Sequence, residues 1–222
     1  MFDSTVINDP YIFCLEDVLT RERCEEIITK FENDRDEQRQ GTTFGGVHLQ
    51  VKNSLDIAIS EHAKWKEEDT LFYETVNYSL AKYYEHLNQV SNFISFTDGK
   101  KFLFAPSTEV VDTGYQIQKT EPGKGYVWHS DAAFEMIGSE ARKRELTYII
   151  YLNDVEEGWT QFYNGSRVSP RAGRVLIFPA TWTYVHQGCP PKNTKYIMTG
   201  WLHCKELDHE KCRKDMESKY GE

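Results

Sequence analysis

The residues of this chain whose types and spacing best suit chemistry are His129 and Asp131, in Tyr126-Val127-Trp128-His129-Ser130-Asp131. On an extended segment residues i and i+2 point to one face, so an imidazole and a carboxylate can reach one small cation. A third ligand should come from a facing strand, and His186 in the run TYVHQG is the obvious candidate. Two histidines and one carboxylate leave open positions on a six-coordinate ion, a donor set suited to non-haem Fe(II) and O2. Zinc hydrolysis could use the same three ligands, but no second carboxylate in the motif is an obvious general base. Glu156 and Glu157 are a poor acid/base pair, since adjacent residues of a strand face opposite ways. A barrel that binds a metal passively, as a sensor, is the third option.

A second signal begins at Lys195. Lys195, Ile197, Thr199 and Trp201 alternate on one face, while Tyr196, Met198 and Gly200 take the other. If the first face points inward, Lys195 is a buried cation, which is costly without a counter-charge. No acidic residue lies nearby in sequence, so an anionic ligand would have to satisfy it, and a dicarboxylate fits. The opposite orientation leaves an ordinary surface lysine. A passive metal site has no need of a buried anion anchor.

These residues need elements to hold them. Thr20 is a plausible N-cap, and Cys24, Ile27, Ile28 and Phe31 recur at helical spacing behind it. The polar run ENDRDEQRQG should be a loop, and Thr42–Ile59 reads as irregular strand with a turn at Gly45-Gly46. Leu71, Phe72, Thr75, Val76, Leu80, Tyr83, Tyr84 and Leu87 predict a longer helix from about Asp69 to Val90. From about residue 102 the texture changes to short apolar runs punctuated by glycine and proline. Gly114–Lys119, Leu146–Asn153, Gln161–Tyr163, Arg174–Phe178, Tyr184–Gln187 and Lys195–Leu202 are the expected strands, spaced as in an antiparallel sandwich or barrel. The expected organisation is a supporting region over 1–101, a β core over 102–204 and a charged tail over 205–222.

Composition narrows the field. The chain has 222 residues, enough for one domain, and 39% of them are hydrophobic. Its net charge of −9 removes the long-range field that draws proteins onto nucleic acids or anionic membranes. No run of about eighteen apolar residues suggests a membrane span, and MFDSTVINDP lacks the pattern of a signal peptide. Five cysteines with no C-x-x-C read as free thiols, so a cytoplasmic location is expected. His48, His62, His86, His203 and His209 lack partners at ligand spacing and are expected to be surface or satisfied side chains.

The β half resembles the 2-oxoglutarate and Fe(II)-dependent oxygenases, and most of all their prolyl 4-hydroxylase branch. The motifs fall in order between about Tyr115 and Trp201: YQIQKTEPGKGYVWHSD, RELTYIIYLNDVEEGWTQF, RVLIFPATWTYVHQGCPP and KYIMTGW. The resemblance implies a double-stranded β-helix, a jelly-roll core braced by helices. It implies iron ligation by His129, Asp131 and His186, with Lys195 and Thr199 at the cosubstrate and Lys195 pairing its far carboxylate. Arg144, Tyr126 and Trp201 fall where the family lines its substrate pocket. The implied reaction consumes 2-oxoglutarate and O2, releases succinate and hydroxylates an unactivated C–H, with ascorbate as a candidate reductant. A peptidyl proline is the first substrate to expect, then another protein side chain or a small molecule. Neither a nucleic acid nor a membrane is an expected partner. Two departures stand out. Thr120 occupies a position where the family commonly has tyrosine, and Gly158-Trp159-Thr160 is one residue short of the usual Gly-Gly-Glu-Thr.

Overall fold

Thr20 caps the first helix as its sequence suggests, its hydroxyl accepting from the Arg23 amide at 3.2 Å. The computed structural model describes residues 3–43, 45–91, 110–137 and 140–205. In chain order its elements are β1 (Phe13–Leu15), α1 (Arg21–Asn33), β2 (Arg39–Gln40), β3 (Leu55–Ala58), α2 (Lys66–Ser91), β4 (Val110–Asp112), β5 (Gln116–Thr120), β6 (Tyr126–His129), β7 (Phe134–Ile137), β8 (Glu140–Tyr151), β9 (Thr160–Phe162), β10 (Arg167–Val168), β11 (Val175–Pro179), β12 (His186–Gly188) and β13 (Lys195–Lys205).

Helix α1 buries Cys24, Ile27 and Phe31, the stripe read from the sequence. Helix α2 begins three residues earlier than expected. Trp65, just before it, is fully buried, and its indole N–H donates to Asp34 Oδ2 at 2.7 Å. That bond ties the start of α2 to the end of α1 and overrides the polar sequence of the first turn. Phe72, Val76, Tyr83 and Leu87 form the buried stripe of α2.

The strands form two antiparallel sheets in a double-stranded β-helix. The larger runs β1-β11-β8-β13-β5-β3-β2, with β4 added on β13 and β7 on β8. The smaller runs β10-β9-β12-β6. Alternation divides the residues of β8 and β11 between two cores. Tyr148, Ile150, Val175 and Ile177 face outward onto both helices, together with Met198 and Leu202 of β13. Ile149, Tyr151, Leu176 and Phe178 face inward and meet Phe162 and Val168 of the smaller sheet. Each such side chain contributes about 1.5–3 kcal/mol on burial. Ile149 of the inward cluster also lines the cavity of the site.

Several boundaries differ from the expectation. Of Thr42–Ile59 only Leu55–Ala58 is strand, and the segment before it is a loop turned by reciprocal Thr43–Gly46 backbone bonds. Gly46 there has φ +99°, which favours glycine. Strand β8 extends back to Glu140 and pairs with β7 as a hairpin, a feature hidden by the charged run ARKRE. Glu156 and Glu157 lie on a turn rather than a strand, and both pair with Lys192, at 2.8 and 2.9 Å. His203, expected to be a surface or satisfied side chain, is fully buried. The parts of the sequence reading over 102–109 and 206–222, including His209, lie outside the described residues.

Candidate active site

The pairing of β12 with β6 brings the site together. His186 is the register partner of His129, and their ring centroids are 4.3 Å apart. Asp131 follows β6 by two residues and turns its carboxylate to both rings: His129 Nε2 lies 3.8 Å from Oδ1, and His186 Nε2 lies 3.6 Å from Oδ2. One donor atom from each of the three residues lies within 4.8 Å of the other two. Among the described residues this is the one group of three or more potential metal-ligating side chains.

The surrounding bonds orient each donor. His129 Nδ1 meets the Val127 carbonyl at 2.7 Å, and His186 Nδ1 meets the Tyr184 carbonyl at 3.0 Å. A carbonyl only accepts, so both protons belong on Nδ1 and both Nε2 lone pairs face Asp131. Thr147 of β8 donates its hydroxyl to Asp131 Oδ2 at 2.7 Å and fixes how the carboxylate is turned toward the two imidazoles. Tyr126 stacks on His129 at 3.5 Å and fixes the ring plane. Burial, reinforced by His186, drives the His129 imidazole well below its ordinary basicity. Burial alone would push the Asp131 carboxyl up, but His186, His129, the Thr147 hydroxyl and Arg144 outweigh it and hold the group below the ordinary range. Two imidazoles that present Nε2 and one ionised carboxylate are a fitting set for a divalent transition-metal ion.

The same three residues line a cavity of about 760 Å³. Lys195, Ile197, Thr199 and Trp201 also line it, so the alternating face of β13 points inward. Lys195 is 5% exposed and has no carboxylate partner among the described residues; its ammonium donates to the Gly158 carbonyl at 2.9 Å. Burial lowers its pKa to about 8. The carbonyl reaches Lys195 because Glu157 and Gly158 both take left-handed conformations, with φ 62° and 65°. A side chain at 158 would also press within 2.9 Å of Pro191 Cβ, so glycine is required there. The shortened Gly158-Trp159-Thr160 segment thus supplies a backbone acceptor to the buried lysine, while Thr160 lines the cavity.

The remaining residues singled out from the sequence are also on the cavity wall. Thr199 donates its hydroxyl to the Tyr148 carbonyl at 2.8 Å. The Arg144 guanidinium lies 3.6 Å over the Trp201 ring, and Trp201 Nε1 is buried with no acceptor among the described residues. Thr120 stands opposite Lys195 in the β5–β13 register. Two neighbours escaped the sequence reading. Thr147 has a readable signal, since it alternates with the outward-facing Tyr148 on a strand that was recognised. Lys52 has none, because it sits in an irregular loop between β2 and β3. His48, His62 and His86 meet the Gly45 carbonyl, Glu37 and the Pro10 carbonyl, away from the metal ligand set.

Comparison with known proteins agrees with this geometry. Residues 115–203 match the model of the 2OG-Fe(II) oxygenase superfamily. The resemblance to that superfamily is carried by this segment, which runs from just before β5 into β13. The matched segment contains His129, Asp131, His186 and Lys195, so the candidate metal ligands and the buried lysine lie within the part of the chain that is similar to that superfamily. Among solved structures, a prolyl hydroxylase from Trichoplax adhaerens, in complex with a hypoxia-inducible factor oxygen degradation domain peptide, is similar at a TM-score of 0.65 and 16% identity, over 88% of this chain and 84% of that one. A prolyl-4-hydroxylase of Pseudomonas putida gives 0.58 and 15%, over 87% and 93%. The viral collagen prolyl hydroxylase of Paramecium Bursaria Chlorella virus-1, in a 2OG complex, gives 0.53 and 18%, over 87% and 96%. At these identities the likeness is one of fold. No curated protein sequence matches the chain. No helix among the described residues is long and apolar enough to cross a membrane.

Proposed function

We propose that the chain is a 2-oxoglutarate-dependent dioxygenase that hydroxylates a proline in a peptide or protein, using His129, Asp131 and His186 as iron ligands and Lys195 as the anchor for 2-oxoglutarate. The observation that carries this reading is one cavity with two Nε2 atoms and a carboxylate on one wall and a buried, carboxylate-free lysine on another. When bound, Fe(II) supplies the oxidising chemistry that couples decarboxylation of 2-oxoglutarate to succinate with hydroxylation of an unactivated C–H.

The protein's own residues do the rest. The Val127 and Tyr184 carbonyls keep the Nδ1 protons in place, so His129 and His186 present free Nε2 lone pairs. Thr147 holds Asp131 ionised and correctly turned. Lys195 orients the dicarboxylate by a charge-assisted bond in a site largely closed to water. Tyr126, Arg144 and Trp201 flank the position of the substrate. Prolyl hydroxylases among the structural neighbours, one of them holding a peptide, support a peptidyl substrate. We take residues 102–204 as the catalytic core, 1–101 as its support and 205–222 as a charged tail. Four free cysteines among the described residues favour a reducing, cytoplasmic setting.

The test is mass spectrometry of capped proline-containing peptides after incubation with Fe(II)-loaded protein, 2-oxoglutarate and ascorbate in air. Gain of one oxygen on proline, matched by succinate, is the expected result. Succinate formation with no peptide gaining oxygen would move the assignment to another substrate class.

A further inference from the structure

Lys52 is buried, 6% exposed, and its side chain lies on the wall of the metal-centre cavity. Its loop is pinned to β6: the Val127 amide donates to Val51 O, the Asn53 amide donates to Gly125 O, and Lys52 bridges to Tyr126. The Lys52 ammonium donates to Asp56 Oδ2 at 2.7 Å, and Ser54 donates to Asp56 Oδ1 at 2.7 Å. An ammonium carries three N–H donors. Asp56 is its one hydrogen-bond acceptor among the described residues, which leaves two donors beside the cavity.

We propose that Lys52 is a specificity-determining residue that donates a hydrogen bond to a backbone carbonyl of the substrate, next to the residue whose C–H is oxidised. This rests on the peptide reading above. Asp56 already balances the charge of Lys52, so a second carboxylate there would be repelled, while a neutral carbonyl fits the two spare donors. The nearby wall carries Thr42, Thr43, Ser54 and Gln118, neutral hydroxyl and amide groups that suit a peptide backbone better than an apolar or anionic ligand. Stability alone gives little reason for the pair, since a buried ion pair adds little over an apolar replacement.

The experiment uses end-capped nine-residue peptides with one central proline, flanked by alanine, lysine or glutamate, and the Fe(II)-loaded full chain. Lys52→Met should raise the peptide KM by roughly 10- to 100-fold, the loss of one hydrogen bond from a charged donor. The affinity for 2-oxoglutarate, titrated anaerobically, should stay unchanged, and Lys52→Arg should restore part of the KM. Lys52→Met combined with Asp56→Asn removes both charges, leaves no buried carboxylate unpaired and should show the same KM loss if the single variant folds poorly. An unchanged peptide KM in a folded variant, or a parallel loss of 2-oxoglutarate affinity, would overturn the role of Lys52 while leaving the peptide reading intact. Wild-type protein that oxidises none of the peptides would overturn both.

Discussion

Among the described residues Lys52, Arg174 and Lys195 are buried cations, and the surroundings of the last two differ most. Arg174, 2% exposed, is fully engaged by the N-terminal segment and a neighbouring loop: Nε donates to Glu16 at 2.8 Å, and one terminal nitrogen donates to Thr5 Oγ1 and Ser169 O, each at 2.7 Å, while the other pairs with Asp3. Burial would push the Asp3 carboxyl up, but the guanidinium and Thr5 hold it far below its usual range. Lys195, 5% exposed, has a single carbonyl. Burying a charge is costly unless it is paired, so the protein has met the cost for Arg174 and left it open for Lys195. A buried cation surrounded by its own chain's acceptors fastens the fold. A buried cation that faces a cavity with one neutral acceptor is built for a ligand.

Substitution at Lys195 should give the largest effect and would break the comparison if it failed. Lys195→Met should weaken 2-oxoglutarate binding by roughly 10- to 150-fold, since a charge-assisted bond in such a pocket contributes about 1.5–3 kcal/mol. The melting temperature should not fall, because the variant removes an ill-satisfied buried charge. Equal affinities in an anaerobic titration would make Lys195 a structural lysine.

Arg174→Met should show the reverse signature. Its acidic partners are partly exposed, with side chains 38% and 51% accessible, so the loss in stability should be about 2 kcal/mol rather than that of a wholly buried pair. Affinity for 2-oxoglutarate should be retained. Denaturant unfolding beside the same titration checks this, and a change confined to cosubstrate affinity would erase the distinction between the two sites.

The smallest effect comes from pH and sharpens the contrast. Burial lowers the Lys195 pKa to about 8 in the free protein, and a bound carboxylate would raise it. Affinity for the dicarboxylate should therefore be full below pH 8 and weaken as pH rises above it, by less than tenfold per unit. Lys195→Arg should abolish that slope, because a guanidinium does not titrate in this range. A slope retained in the arginine variant would assign the titration to another group.

Much of this molecule was legible in its sequence, for local reasons. The stripe of α1 and its Thr20 cap follow from helical period, and the inward face of β13 follows from alternation. His129 and Asp131 share a face because they are two residues apart near an extended strand. The pocket details were legible only in part, since Thr147 could have been read from alternation but Lys52 sits in a loop with no period.

What tertiary structure alone decided is register and direction. Alternation says that Lys195, Ile197, Thr199 and Trp201 share a face, but only the packing of Tyr196 and Met198 against the helix-side core turns that face into the barrel. His186 is a candidate ligand by composition and becomes a neighbour of His129 only through the β12–β6 pairing. Likewise, nothing near Arg174 in sequence announces that Asp3 and Glu16, more than 150 residues away, will satisfy it. The physical reason is common to all three: periodicity is a property of one segment, whereas charge satisfaction and metal geometry depend on which distant segments the sheet sets side by side.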